Sequence, residues 1–220
     1  METKFCTGFT LVEIAIVLVA IGLILGGILK GQEMVTNAKL KRIESDFAGL
    51  SAATFSYQDR YLQLPGDDSE AFQRFNGYVN AALVNGDGDG IVDGNWDIAS
   101  TGNIDTGGGT AETGKFFAHL RAAGLIAGGG SDDTKPTNAY GGQVGIRDSS
   151  LGIAGHVVIF GLIEGSVSKI IEARLDDGDP STGRIQSGIA SGSSPVDMNT
   201  ASSGSASYQS SERYNIAFRM

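Results

Sequence analysis

The chain has 220 residues, 25 of them acidic and 16 basic, with a formal net charge of -9. That balance excludes nucleic-acid binding through a broad basic surface. The single cysteine, Cys6, stands near the N-terminus, which excludes an internal disulfide, and 33 glycines predict many turns and long loops.

After a short polar stretch, METKFCTG, residues Phe9 to Leu29 form an apolar run of 21 residues with one charge, Glu13. A helix of that length spans roughly 32 Å, close to the hydrocarbon thickness of a bilayer. Val, Ile and Leu cover every face, as in a membrane span rather than an amphipathic surface helix. The run is longer than a secretory signal core, and no small-x-small cleavage site ends it. Glu13 is the exception, because a carboxylate inside such a span is expensive and calls for a partner. Lys30, Lys39, Lys41 and Arg42 follow the span, whereas only Lys4 precedes it. By charge count alone the C-terminal side would face the cytoplasm.

From Lys30 the helix is expected to continue. Leu40, Ile43, Phe47, Leu50, Thr54, Tyr57 and Tyr61 recur at spacings of three and four, one apolar stripe with charged residues opposite. Leu64-Pro65-Gly66 stops it. The expected organisation is therefore residues 1–8 as a short polar segment, which the family resemblance given below makes a leader, 9–29 as the apolar half of a long helix, 30–62 as its amphipathic half and 63–220 as a globular domain.

Within that domain, Phe72, Phe75, Tyr78, Val79 and Leu83 suggest a short helix beginning near Ser69. Glu112 to Ala127 reads as a second helix, ended by Gly128-Gly129-Gly130. Gln143 to Ile146 and His156 to Ile163 read as strands, the latter β-branched enough to be central and buried. Ser166 to Leu175 is a third helix, leading into the turn LDDGDPSTGRIQ and a strand near Arg184 to Ser187. Residues 188–211 are Ser/Gly-rich and read as a loop, and Tyr214 to Arg219 alternates as a terminal strand should. The fold class expected is α+β, a long N-terminal helix packed against a small antiparallel sheet.

The acidic loop from Asn85 to Asp93, NGDGDGIVD, carries the strongest local chemistry. Asn85, Asp87, Asp89 and Asp93 fall at positions 1, 3, 5 and 9 of a calcium loop, with Gly90 at position 6 and the Ile91 carbonyl at position 7. Trp96 stands at position 12 in place of the usual glutamate, and Asp97, one residue on, is the candidate substitute. Calcium needs six to eight hard oxygens, and alternating carboxylates around a bent loop supply them. The competing reading is a solvated turn made of good turn formers. Asp176, Asp177 and Asp179 form a second acidic turn, read as self-capping at a helix C-terminus, with a calcium site as the alternative. His119, on an apolar helix, and His156, opening a strand, read as structural. No nucleophile elbow, metalloprotease or phosphate-loop motif occurs, and an enzyme is not expected.

The segment GFTLVEIAIVLVAIG, Gly8 to Gly22, resembles the N-terminus of the type IV pilin and type II secretion pseudopilin family. AHLRAAGLI and LDDGDPSTG also resemble segments of pilin-like proteins, less specifically. The N-terminal resemblance implies that a prepilin peptidase cuts after Gly8 and that Phe9 becomes an N-methylated N-terminus. It implies that Glu13 neutralises the amino terminus of a neighbouring subunit as helices pack into a filament, homo-oligomeric or mixed, on an inner-membrane assembly platform. It further implies a precursor in a bacterial inner membrane with its N-terminus cytoplasmic, opposite to the charge count, and a mature subunit in an extracellular or periplasmic filament. Pilus subunit and type II secretion pseudopilin both fit. A membrane-anchored calcium-binding module that does not polymerise is the alternative of another class.

Overall fold

The computed structural model describes residues 9–75, 85–94, 112–129, 132, 134–190 and 207–220. In chain order these form α1 (Leu11–Tyr61), α2 (Ala71–Arg74), α3 (Glu112–Ala122), β1 (Val144–Ser150), β2 (Ile153–Glu164), α4 (Gly165–Leu175), β3 (Ile185–Ile189) and β4 (Arg213–Arg219). The fold is α+β, with a four-stranded sheet in the order β1-β2-β4-β3 and every neighbouring pair antiparallel. The chain divides into two compact units, Met1–Lys39 and Leu40–Met220.

In the first unit, every residue from Phe9 to Val35 is exposed. The helix is long and apolar enough to cross a membrane, with a mean hydropathy of 2.7 in its most apolar 18-residue window. Its start is a capping box. Glu13 Oε2 accepts from both the main-chain N–H and the hydroxyl of Thr10 at 2.8 Å, and the Glu13 N–H donates back to Thr10 Oγ1 at 3.3 Å. Thr10-x-x-Glu13 thus satisfies donors that the first helical turn leaves without partners.

In the second unit, the expected stripe on α1 is the buried one. Leu40, Ile43, Leu50, Thr54 and Tyr57 are buried, with Ala53 beside them, and Phe47 and Tyr61 are half-buried against the same core. Phe47 lies over Phe218 of β4 with ring centroids 5.1 Å apart. Thr54 holds its hydroxyl on the Leu50 carbonyl at 2.9 Å, which lets a polar side chain sit in this face.

β2 is an interior strand, as its composition predicts, and is longer than expected. Val158, Phe160 and Ile163 face the principal core, whereas Val157 and Ile159 join Leu151, Ile153 and Ala217 on the other side of the sheet. The spacing 158, 160, 163 breaks strict alternation because a bulge intervenes. Phe160 pairs with Ile216 and Ile163 with Tyr214, so three steps on β2 match two on β4. Leu162, at φ 60, takes the strained position, and its N–H is met by Asn215 Oδ1 at 3.2 Å. β1 and β2 form a hairpin whose two turn residues, Leu151 and Gly152, both have positive φ, the signature of a primed turn.

β4 inserts between β2 and β3, so the C-terminus is held by ladders on both sides, with Met220 N donating to His156 O at 3.0 Å. That arrangement secures the C-terminal region without a disulfide. α3 ends earlier than its sequence suggests. Gly124, at φ 69, is the stop, with Leu125 N donating to Leu120 O and Gly124 N to Arg121 O, both at 2.9 Å. The glycines from Gly128 serve another purpose. A Cβ on Gly128 would lie 2.6 Å from the side chain of the buried Arg121. That guanidinium instead reaches the carbonyls of Asp132 and Thr134 at 2.8 and 2.7 Å.

Candidate metal centre

α1 terminates at Leu62, φ 57, and the chain turns through Leu64-Pro65-Gly66 into an Asp67-Asp68 pair. Gly66 is required at this turn. Its φ is 94, and a Cβ would come within 2.9 Å of the Glu112 carbonyl. Its N–H donates to His119 Nδ1 at 2.9 Å, which makes the buried His119 a structural acceptor. The close pass of this turn over the start of α3 brings Asp67 and Glu112 to the acidic loop.

Both carboxylates are 1% exposed. Asp67 Oδ1 accepts the N–H groups of Gly88 at 2.6 Å and Asp89 at 3.1 Å, and its Oδ2 accepts that of Gly90 at 2.8 Å. Glu112 Oε1 accepts from Asp87 N at 2.9 Å and Oε2 from Asp93 N at 3.3 Å. In return the N–H groups of Glu112 and Thr113 donate to the Asp93 carbonyl at 2.8 and 3.0 Å. The loop is therefore draped over two buried acids. Gly86 lies so close to the Asp67 backbone that no side chain fits there.

One carboxylate oxygen each from Asp67, Asp87, Asp89 and Glu112 lies within 4.8 Å of the other three. Burial pushes the Glu112 carboxyl up to about 7, with the neighbouring Asp67 and Asp87 adding to the rise and the two loop N–H groups opposing it. Burial likewise raises Asp67, reinforced by Asp89 and Asp87 and opposed by its N–H donors. Four acids this close repel one another, and either a proton or a cation relieves them. The donors are all hard oxygens, which suits calcium or magnesium rather than a soft metal. A cleft lined by Leu64, Asp67, Gly88, Asp89, Gly90 and His156 gives access from solvent.

Of the loop residues proposed as ligands, Asp87 and Asp89 belong to this cluster. Asn85 turns its carboxamide to α2, accepting from Phe72 N at 2.8 Å and donating to Gln73 Oε1 at 3.1 Å. Asp93 engages Glu112 and Thr113 through its main chain, and the Ile91 N–H donates to Asp89 Oδ1 at 2.8 Å. Asp97 lies outside the described residues, as do Gly8 and the part from Tyr78 to Leu83 of the short helix expected to begin near Ser69. Asp67 and Glu112 escape a loop pattern because they are remote in sequence. Phe9 is exposed, and Glu13 sits in the capping box of α1. No protein-family model matches the chain, and no curated protein or solved structure matches it.

Proposed function

We propose that the chain is a structural subunit of a type IV pilus or pilus-like filament, cut after Gly8 and assembled through its N-terminal helix. The observation that carries this reading is the helical surface from Leu11 to Leu29, apolar on every face, exposed throughout and charged only at Glu13. Such a surface needs a solvent of lipid or of like helices. Lipid serves the precursor, and a bundle of neighbouring subunits serves the filament. Glu13 then has two tasks. It caps its own helix through Thr10, and its charge meets the amino terminus of Phe9 on another subunit, each ion relieving the desolvation of the other. A type II secretion pseudopilin uses the same helix in the same way.

Calcium at Asp67, Asp87, Asp89 and Glu112 belongs to this reading as a stabiliser of the globular surface. The ion would pin the loop 85–93 onto the α1–α2 turn and α3 in place of mutual repulsion. The acidic cluster would work equally on an anchored module that never polymerises, which is the competing reading.

The deciding experiment is the intact mass of the protein from native membranes or filaments, with sequencing of its N-terminal peptide. A chain beginning at N-methylated Phe9 is the expected result. A chain that retains Met1, or is cut beyond Leu29, overturns the filament reading and leaves the anchored or secreted module.

A further inference from the structure

We infer a second site for a hard divalent cation, of calcium type, at the C-terminal end of α4, formed by Glu172, Asp176 and Asp177. One carboxylate oxygen from each lies within 4.8 Å of the other two. Asp176 and Asp177 alone would make an ordinary acidic turn, and much of their bonding is local. Asp176 Oδ2 accepts from Arg184 N at 2.6 Å and Ile185 N at 2.7 Å, and Asp177 accepts from Asp179 N at 2.9 Å and from the Thr182 hydroxyl at 2.7 Å. Glu172 is what this turn does not explain.

Glu172 is fully buried, at 0% exposure. Its Oε2 accepts from the Tyr208 hydroxyl at 3.0 Å, but its Oε1 is sealed from solvent with no hydrogen-bond partner. A buried carboxylate oxygen left without a donor is costly. Protonation and a bound cation are the two ways to relieve such an oxygen. A cation repairs it directly, replacing missing donors with a metal–oxygen bond.

The surroundings favour a cation over an internal base. None of the three acids is in an ion pair among the described residues, and Arg174 in the last turn of α4 reaches Glu44 instead, at 3.6 Å. The last turn of a helix presents carbonyl oxygens and a negative dipole end, which attracts positive charge. Burial raises the Glu172 carboxyl to about 8, and Asp176, Asp177 and Asp179 push it the same way against the Tyr208 hydrogen bond. Gly183 fits the arrangement, since a Cβ there would strike the Asp176 carboxylate. Three carboxylates leave the remaining positions of a six- to eight-oxygen shell to main-chain carbonyls and water. An ion here would join the end of α4 to the start of β3 and, through Tyr208, to the segment that leads into β4.

The test uses the full chain in detergent, carrying Asp87→Asn and Asp89→Asn to silence the other acidic cluster. Calcium alone is titrated by calorimetry, and terbium by luminescence excited through tyrosine, Tyr208 being bonded to Glu172. The expected result is one calcium per chain, with affinity falling on the order of tenfold or more in Glu172→Gln. Asp177→Asn, at an exposed position that spares the fold, should weaken binding in the same direction, and Tyr208→Phe should dim the terbium signal. Retention of stoichiometry and affinity in Glu172→Gln overturns the inference and leaves a protonated carboxyl beside an ordinary turn. If Glu172→Gln does not fold, unchanged binding in Asp177→Asn overturns it equally. Calcium binding lost already in the Asp87/Asp89 background also overturns it, whatever the outcome for the first cluster.

Discussion

The Tyr57 hydroxyl donates to Asp68 Oδ2 at 2.6 Å, and both side chains are fully buried. Asp68 Oδ1 also accepts from Glu70 N at 2.9 Å and Arg74 Nη2 at 3.2 Å, so one carboxylate ties α1 to the turn and to α2. The Gly86 N–H meets the Asp68 carbonyl at 2.9 Å, which brings the acidic loop into the same tie. Burial, with the adjacent Asp68 carboxylate, drives the Tyr57 phenol far above its ordinary range, so it stays a donor at any working pH.

Tyr57→Phe should therefore destabilise the second unit by about 1–3 kcal/mol, the cost of leaving a buried carboxylate short of one donor. Urea denaturation measures it. The same variant should weaken calcium binding at the Asp67 cluster, because Asp67 is the next residue. A change of stability within a few tenths of a kcal/mol would show that Asp68 is adequately held by Arg74 and Glu70 N.

Stability without divalent cations should depend on pH with a definite sign. The Glu112 carboxyl is raised to about 7 in the folded state from an ordinary 4.5, so the folded state binds the proton more tightly than the unfolded one. Its contribution is fully present below pH 4.5 and is lost as pH rises through about 7. In chelator, the unfolding free energy should fall across that window, and Glu112→Gln should flatten the slope. Calcium competes with the proton, so its affinity should rise over the same window. A calcium affinity independent of pH between 5 and 8 would separate Glu112 from any ion.

Two glycines to alanine should act in opposite directions. Gly86→Ala drives a methyl into the Asp67 backbone and should break the loop away from its acids, lowering both stability and calcium binding. Gly49, within α1, has open space around a built Cβ, so Gly49→Ala should stabilise by roughly 0.5–1 kcal/mol through helix propensity. Thermal melts of the two variants side by side check the pair.

Glu13 offers a way to divide capping from charge. Gln at the third helical position preserves a capping box, so Glu13→Gln should leave the start of α1 intact while removing the carboxylate. In the proposed filament this variant should insert into membranes and be cut normally, yet fail to assemble, as should Glu13→Ala. Sedimentation of sheared filaments provides the readout. Normal filaments from Glu13→Gln would mean that the cap is the whole role of this residue.

By itself the sequence determined what depends on near neighbours. The 3.6-residue stripe from Leu40 to Tyr61 placed the buried face of α1, because a helix face is set by spacings of three and four. The β-branched run from Val157 placed an interior strand for a similar reason. Even the misplaced end of α3 was legible, since Gly124 stands in the sequence beside the more conspicuous glycines that follow. The Thr10-x-x-Glu13 cap is equally local, since the two residues stand three apart in the chain. What only the tertiary structure decided joins residues far apart in the chain. Asp67 and Glu112 reach the Gly-Asp loop because one turn passes closely over the start of α3, and no local pattern encodes that approach. The insertion of β4 between β2 and β3, and the unpartnered oxygen of Glu172, also exist only once the core has closed. Periodicity specifies which side of an element is buried, whereas the groups that meet across the core are chosen by packing.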